Sequence, residues 1–230
     1  MGIEIDNNVE SSIIKQIRDI HVPSDVENYP SLMSRDEVRL LYCLAMNNYS
    51  GVGTIVDAGI FFGASTYAFG KALQSRSDYN NLKSRKEKPI QSYEYGIWNK
   101  DMDRYLKKGK FRKLVGDREL KDGDSFIPVI SDAIEGVKDV VDLNAGDICK
   151  MPPPEMIELA FFDLLKIPKV EFAVYRNFFG KLIPGKSILI HQDWFMAGAA
   201  HHKIRTEYYG DKYSYLGQVG TTGLFLLKAP

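Results

Sequence analysis

The stretch Val56-Asp57-Ala58-Gly59-Ile60-Phe61-Phe62-Gly63-Ala64-Ser65-Thr66 predicts a β-strand, a tight glycine loop and the start of an α-helix. A β-branched run leads into it, and an apolar helical pattern continues over residues 65–73. Gly59 permits a tight turn after the strand, and Gly63 lets the next helix approach a ligand closely. Because the first amides of a helix are free to donate, such a loop can hold a nucleotide-like ligand. A plain strand-to-helix turn is the alternative, and the flanking elements favour binding.

Strands and helices alternate from this stretch to the end of the chain. This alternation favours a mostly parallel sheet with helices on both faces. Two final apolar segments flank Thr221-Thr222-Gly223 and predict an antiparallel hairpin. The predicted strands are 54–58, 90–95, 140–143, 157–163, 187–191, 216–219 and 223–228, and the predicted helices are 65–73, 126–137 and 170–179.

The residues before this pattern predict helices of their own. Isoleucines at 13, 14, 17 and 20 form a helical stripe, and Ser34 and Glu37 have the spacing of a capping box. We therefore expect an N-terminal helical extension, acting as a cap or lid, over residues 1–50 and one α/β domain over 51–230. Within that domain, residues 96–125 predict a polar insertion with one short helix, and Lys83 to Lys88 predict a charged surface loop.

The composition is that of an ordinary globular chain. Among 230 residues, 30 basic side chains balance 30 acidic ones, so we expect neither nucleic acid nor a membrane as partner. Cys43 and Cys149 lack any paired spacing and predict reduced thiols. Met1 to Asn8 show no signal-peptide pattern. No apolar run reaches the roughly 18–20 residues of a membrane span. These features predict a cytoplasmic protein.

The glycine loop departs from the dinucleotide-binding fingerprint. Phe61 stands where that pattern has a glycine, and no acidic residue at a strand end lies about 20 positions further on. The first acid at a predicted strand end is Glu94, in Tyr93-Glu94-Tyr95. A carboxylate there can accept hydrogen bonds from two neighbouring ribose hydroxyls. An exposed loop carboxylate is the alternative.

Five segments in this order resemble the class I S-adenosylmethionine-dependent methyltransferases, nearest to the macrocin-type sugar and small-molecule O-methyltransferases. The resemblance covers about Gly51 to Lys228. It implies a Rossmann-like, doubly wound sheet of seven strands, mostly parallel, with an antiparallel terminal hairpin. The segments are the glycine loop, Tyr93-Glu94-Tyr95, Gly146-Asp147-Ile148, the strand from Glu158 to Asp163, and the Pro-Gly turn and strand from Leu182 to Asp193.

The resemblance also implies S-adenosylmethionine as the cofactor. Glu94 matches the acid that binds the ribose, and Asp147 lies in the segment on the adenine side. The full set of cofactor-binding residues that it implies is Asp57, Gly59, Gly63, Ser65, Glu94, Asp147 and Asp163.

The ends of the fourth and fifth strands carry the candidate catalytic residues. Ligands of open parallel sheets collect beyond the carboxyl ends of the strands, so Asp163, His191 and Asp193 are expected in one crevice. Methyl transfer to a hydroxyl needs a base, and either the imidazole of His191 or the carboxylate of Asp163 can serve. A core histidine at the end of a buried strand is the alternative for His191.

Metal-dependent relatives bind magnesium through an aspartate after the fourth strand and an Asp-Asp or Asp-Asn pair after the fifth. The corresponding set here is Asp163, Gln192 and Asp193. Gln192 offers one neutral carbonyl oxygen, so two carboxylates replace three, and Mg²⁺ is expected to bind weakly or not at all.

Two other features invite functional interpretations. Lys166 can stabilise a developing alkoxide or contact an anionic substrate, with an exposed surface lysine as the alternative. His201-His202 have no acidic or thiol partner at ligand spacing, so zinc is not expected.

We therefore expect methyl transfer from S-adenosylmethionine to a hydroxyl of a sugar or other small polar metabolite. Specificity is expected in residues before Gly51 and between Trp98 and Asp124. Such enzymes commonly self-associate, so a homo-oligomer is a further expectation. A catalytically inactive binding module of the same fold and a nicotinamide-dependent oxidoreductase are the alternatives.

Overall fold

Seven strands form one sheet in the computed structural model, which describes residues 12–107, 109–196 and 210–230. The strand order is β3-β2-β1-β4-β5-β7-β6. The first five strands run parallel, and β7 is antiparallel to both of its neighbours. The predicted doubly wound sheet with an antiparallel hairpin is confirmed. The strands are β1 (Thr54–Ala58), β2 (Ile90–Glu94), β3 (Val141–Ala145), β4 (Ile157–Phe162), β5 (Ile188–His191), β6 (Tyr213–Val219) and β7 (Thr222–Leu227).

Helices cover both faces of the sheet. Every residue of β1 and β4 is buried, as expected for central parallel strands with a helical layer on each side. The α-helices are α1 (Ser12–Asp19), α2 (Ser24–Glu27), α3 (Arg35–Asn47), α4 (Ala64–Gln74), α5 (Tyr79–Arg85), α6 (Asp103–Leu106), α7 (Arg112–Val115), α8 (Ile127–Ala133) and α9 (Pro168–Phe178). None of the helices in these ranges is long and apolar enough to cross a membrane.

The alternation of side chains along the strands separates two hydrophobic cores. Ile55 and Phe161 face one core, which α3, α4 and α8 complete. Val56 and Phe162 face the other core, where they meet residues of α9 such as Phe178. This layering leaves the carboxyl ends of β1 to β5 together at one edge of the sheet.

The capping box at the start of α3 is confirmed. The Ser34 hydroxyl accepts from the Glu37 amide at 3.3 Å, and the Glu37 carboxylate accepts from the Ser34 amide at 2.8 Å. Buried residues of α1 and α3 belong to the same core as the sheet. The N-terminal helices therefore pack continuously onto the α/β domain, and the division at residue 50 stays a prediction.

The insertion after β2 packs tightly. It contains a 3₁₀ turn (Lys100–Met102), α6 and α7, where the sequence predicted one short helix. Trp98 and Phe111 are fully buried and contact Phe62 of the glycine loop, with ring centroids 6.1 and 5.4 Å away. Aromatic packing therefore fixes the insertion against the loop.

Two local predictions were wrong. Lys83 to Lys88 were expected to form a loop, yet Lys83 and Arg85 lie in the last turn of α5, where basic side chains suit the helix dipole. Strand β6 begins at Tyr213, three residues earlier than expected, because Tyr213 pairs with Leu227 across the hairpin.

Candidate active site

A cavity of about 440 Å³ opens at the carboxyl ends of β1 to β4. It lies where the strand order reverses between β1 and β4, the usual ligand site of a doubly wound sheet. Its volume is within the range of small-molecule sites. The lining residues are Gly59, Tyr93, Glu94, Tyr95, Gly146, Asp147, Ile148, Cys149, Leu164, Ile167, Lys169 and Val170.

The predicted cofactor residue Asp57 supports the glycine loop from below. Its side chain is fully buried, and its two oxygens accept from the hydroxyls of Ser65 at 2.8 Å and Thr66 at 2.6 Å. Burial raises the pKa of Asp57 to about 7, although both hydroxyls act in the opposite direction. Asp57 and Ser65 thus join β1 to the first turn of α4 and are not part of the cavity lining.

The two glycines of the loop have different roles. At Gly59, with φ of +86°, a Cβ would lie 2.9 Å from the carbonyl carbon and oxygen of Asp163. Gly59 also lines the cavity, so a side chain there would intrude on both. At Gly63, a Cβ would lie 2.4 Å from Cγ2 of Ile134. A glycine at position 63 therefore leaves room for Ile134, the residue that follows α8. The sequence had predicted that Gly63 leaves room for a ligand instead.

Glu94 lies at the end of β2 and lines the cavity. Its Oε2 accepts from the Phe61 amide at 2.8 Å, and its Oε1 accepts from the Gly96 amide at 3.3 Å. Burial raises the pKa of Glu94, and these backbone bonds partly oppose the shift. The Phe61 bond holds a non-glycine residue at φ of +50°, in the sparsely populated left-handed region. Glu94 therefore shapes the loop and also presents a carboxylate to the cavity.

Asp147 lies across the cavity from the glycine loop, at the end of β3. Its Oδ1 accepts from the Cys149 amide at 3.0 Å and caps the 3₁₀ turn Ile148–Lys150. That backbone bond lowers the pKa of Asp147. Burial and the Asp147 carboxylate raise the pKa of the Cys149 thiol, which argues against a reactive thiolate there.

Asp163 and Asp193 both form ion pairs with Lys166. The Lys166 ammonium lies 2.8 Å from Oδ1 of Asp163 and 2.8 Å from Oδ2 of Asp193. Burial raises the pKa of Asp163 to about 6, against the opposing effect of Lys166. Burial alone would also raise the pKa of Asp193, but bonds from Lys166 and Thr221 outweigh it and lower that pKa. Asp163 and Asp193, which were expected near each other, therefore lie on either side of the Lys166 ammonium group.

A second polar network holds Gln192. Its Nε2 donates to Oε1 of Glu37 at 3.1 Å, and its Oε1 accepts from the Thr222 hydroxyl at 2.7 Å. The same Thr222 hydroxyl lies 2.9 Å from Oε1 of Glu37, so its single proton is shared between these two acceptors. Burial alone would raise the pKa of Glu37, but bonds from Ser34, Thr222 and Gln192 together lower it. The capping residue of α3 thus anchors the end of β5 and the terminal hairpin.

The candidate magnesium ligands do not fit a metal centre. One oxygen of each aspartate already accepts from Lys166, and the Gln192 amide is engaged by Glu37 and Thr222. No cluster of three His, Cys, Asp or Glu side chains suited to a metal occurs in the described ranges. Asp163, Gln192 and Asp193 are therefore not supported as a binding site for Mg²⁺. His201 and His202 lie outside the described residues.

His191 points into the core. It is 1% exposed, its Nδ1 lies 2.8 Å from the Gln192 carbonyl oxygen, and its ring packs edge-on against Trp194 with centroids 5.1 Å apart. This burial favours the alternative interpretation, a histidine that completes the core at the end of β5. Asp163 is the more accessible of the two candidate bases, with its side chain 25% exposed.

A narrow crevice of about 40 Å³ lies on the other side of the glycine loop. Gly59 lines both this crevice and the larger cavity, and Asp163 lines the crevice. The segment Pro30–Met33 closes its outer side. Beyond that segment lies a groove of about 270 Å³ whose cationic residues are Arg35, Lys110 and Lys113.

Several of these roles were missed in the sequence. The apolar wall of the cavity, Leu164, Ile167 and Val170, lies in the turn into α9, where no motif marks it. Glu37 was identified only as a capping residue, and its bond to Gln192 spans 155 positions. The spacing of Asp163 and Lys166 was visible, but the bridge to Asp193 depends on the sheet register that places β4 beside β5.

Solved structures share this architecture. The O-methyltransferase NovP is 11% identical with a TM-score of 0.58, covering 90% of this chain and 89% of NovP. CalS11, a TDP-rhamnose 3′-O-methyltransferase of calicheamicin biosynthesis, is 18% identical with a TM-score of 0.52, covering 94% and 90%. Cofactor-bound Rv0187 from MTB is 14% identical with a TM-score of 0.51, covering 90% and 87%. No protein-family profile and no curated protein sequence matches the chain. The chain therefore has the fold of the class I O-methyltransferases, as its sequence motifs predicted.

Proposed function

We propose that this protein transfers the methyl group of S-adenosylmethionine to a hydroxyl of a small polar acceptor such as a sugar. The observation that carries the proposal is the cavity at the switch point, with carboxylates on two strand ends and an apolar wall from the turn into α9. A ribose needs acceptors for its hydroxyls, and an adenine ring needs apolar surface. The cavity offers both within one volume of about 440 Å³.

Each part of the cofactor has a residue suited to hold it. Glu94 would accept from the ribose hydroxyls, while Asp147 and Ile148 would lie along the adenine. Gly59, which has no side chain, would leave room for the methionyl portion beside the end of β1. When bound, the cofactor supplies an electrophilic methyl group on a sulfonium.

The acceptor would lie on the other side of the glycine loop. The crevice there contains Asp163, and Pro30 to Met33 cover it. The groove beyond is lined by residues of the N-terminal extension and by Lys110 and Lys113 of the insertion. These are the two regions in which the sequence predicted specificity. Three basic residues and one acid, Glu27, line the groove, and this excess of positive charge favours an acceptor that carries negative charge.

Asp163 is the proposed base. Its pKa of about 6 leaves it ionised at neutral pH yet basic enough to accept a hydroxyl proton as the methyl group transfers. Lys166 and the backbone bond from the Asp163 amide to the Ala58 carbonyl, at 2.8 Å, hold it in place. Transfer to oxygen mainly needs such alignment and deprotonation.

Calorimetric titration with S-adenosylhomocysteine and with NADH tests the cofactor assignment. We expect saturable binding of S-adenosylhomocysteine and none of NADH. Saturable NADH binding without a response to S-adenosylhomocysteine would contradict the proposal and favour an oxidoreductase.

A second experiment tests the reaction. Release of S-adenosylhomocysteine from S-adenosylmethionine would be followed with a panel of sugars, sugar phosphates and phenols, with Asp163→Asn as the matched variant. We expect turnover with at least one hydroxyl acceptor and its loss in the variant. Tight cofactor binding with no turnover across the panel would favour an inactive binding module.

A further inference from the structure

Lys166 occupies the position between two carboxylates at which a bridging cation would bind. Its ammonium group is 2.8 Å from Asp163 and 2.8 Å from Asp193, the length of charge-assisted hydrogen bonds. An ammonium group carries three donors, so these two bonds leave one for a ligand oxygen. The Lys166 side chain is 54% exposed, which leaves that donor accessible to a ligand from solvent.

Gln192, the third candidate metal ligand, is held by hydrogen bonds to other residues. An ionised carboxylate only accepts hydrogen bonds, so Glu37 requires the Nε2 side of the Gln192 amide. The Oε1 side is therefore turned toward the Thr222 hydroxyl, 2.7 Å away. Gln192 is 7% exposed and fixed at both ends, and presenting its oxygen to an ion would disrupt this buried network.

Charge also opposes a divalent ion at this place. An ion held by Asp163 and Asp193 would lie against the ammonium group of Lys166. Like charges at such separations repel strongly in a partly buried site. Either the lysine or the metal can bridge the two aspartates, and the hydrogen bonds of this structure favour the lysine.

We propose that the ammonium group of Lys166 is the resident cation of this site and takes the place that a divalent metal holds in metal-dependent enzymes of this fold. It neutralises part of the acidic pair, keeps Asp163 and Asp193 at a fixed separation and offers one donor to the oxygen of an acceptor hydroxyl. Its catalytic meaning rests on the proposed function, whereas its occupancy of the cation position is measurable without cofactor or acceptor.

Binding of Mn²⁺ to the full chain tests the proposal, since the electron spin resonance signal of free Mn²⁺ reports binding directly. Lys166→Met removes the charge but keeps the length of the side chain. We expect at least a tenfold gain in Mn²⁺ affinity over the unmodified protein, and a rise of the variant's melting temperature with added Mn²⁺. Lys138→Met is the matched control, because Lys138 also pairs with an acid three positions earlier, Glu135, but on the exposed surface. It should leave Mn²⁺ affinity unchanged.

A double variant, Lys166→Met with Asp193→Asn, locates the gained site and should lose the gain. If Lys166→Met does not fold, Lys166→Gln provides the same comparison. Equal Mn²⁺ affinity in the unmodified protein and the lysine variant would overturn the proposal, as would a gain that survives the Asp193 change. S-adenosylhomocysteine titrations on the same proteins are independent, because Lys166 does not line the cofactor cavity. Failure of cofactor binding would therefore count against the proposed function and leave the metal comparison intact.

Discussion

Replacing Glu94 with glutamine tests its proposed contact with the cofactor while the shorter of its two backbone bonds is kept. In the unmodified protein, Oε2 accepts from the Phe61 amide at 2.8 Å while the same carboxylate lines the cavity. Glutamine keeps one oxygen, which can still accept from that amide. Its second group is a donor, which cannot accept from a ribose hydroxyl.

The size of the effect follows from the bond that is lost. A hydrogen bond to a charged acceptor contributes about 1.5–3 kcal/mol, and a donor facing a donor adds a desolvation cost. We expect Glu94→Gln to weaken binding of S-adenosylhomocysteine by about 2–3 kcal/mol, roughly 30-fold to 150-fold in dissociation constant. Glutamine has only one acceptor oxygen, so the longer bond from the Gly96 amide is lost as well. The melting temperature of the free protein should therefore fall slightly, while the shorter Phe61 bond still holds the loop.

Calorimetry at several pH values provides the assay. Burial raises the pKa of Glu94, and the ionised form is the one that accepts two hydroxyl donors. Affinity of the unmodified protein should therefore fall as pH drops through that raised pKa, while the affinity of Glu94→Gln should stay flat. Asp142→Asn is the control, since this carboxylate is exposed on the neighbouring strand β3 and does not line the cavity.

Two outcomes would contradict the proposed contact between Glu94 and the ribose. A loss of less than about threefold in affinity would mean that Glu94 serves the loop alone. An equal loss in Asp142→Asn would mean that general electrostatics, not a specific bond, explains the effect.

Three further changes test the loop and the strands beside it. Gly59→Ala brings a Cβ to 2.9 Å from backbone atoms of Asp163 at a positive φ, so unfolding in urea should be easier by about 2–4 kcal/mol. Gly123→Ala, with φ of +90° and no described atom within 4 Å, controls for backbone strain alone. Because burial raises the pKa of Asp57 from 3.8 to about 7, the folded state holds this proton more tightly, and stability should fall as pH rises across that interval. The Asp57→Asn variant lacks this titrating group. The difference in unfolding free energy between the variant and the unmodified protein should therefore shift in favour of the variant by up to about 4 kcal/mol as pH rises over this range. Parallel pH profiles of the two proteins in urea titrations would contradict this. Glu158 accepts from three backbone amides at 2.7 to 3.1 Å, so Glu158→Gln should lower the free energy of unfolding by about 2–3 kcal/mol in urea titrations.

The fold was predictable because burial on both faces leaves a strong local signal. Residues of β1 and β4 are apolar or β-branched throughout most of their length, and both strands were placed within one residue of their ends. The insertion was less predictable. Its lysines and glycines dominate the local pattern, whereas Trp98 and Phe111 are buried by contacts with a loop that lies far earlier in the chain. The spacing of apolar residues along the sequence indicates which side of a helix or strand is buried. It does not indicate which residues pack against a segment without regular secondary structure.

The candidate site was predictable in its residues and less so in their roles. Asp57, Gly63 and Ser65 carry the motif but support the loop, whereas Gly59, Glu94 and Asp147 face the cavity. A sequence motif contains two kinds of residue, those that contact the ligand and those that support the contacting residues. The motif alone does not tell them apart. The difference emerges only from the register of β1 against β2 and β4, which decides which side chains reach the edge of the sheet.

Gly59 connects the two halves of the proposed reaction. It lines both the large cavity and the narrow crevice, and its backbone lies against that of Asp163. A methyl donor in the cavity and a hydroxyl in the crevice would therefore approach each other beside a residue that has no side chain to separate them. The bond from Lys166, which also pairs with Asp193, holds the carboxylate of Asp163, the proposed base, in position. In-line methyl transfer depends on close alignment of the reacting atoms. We therefore expect the ion pair of Lys166 with Asp163 and Asp193 to matter as much for positioning Asp163 as for the charge it supplies.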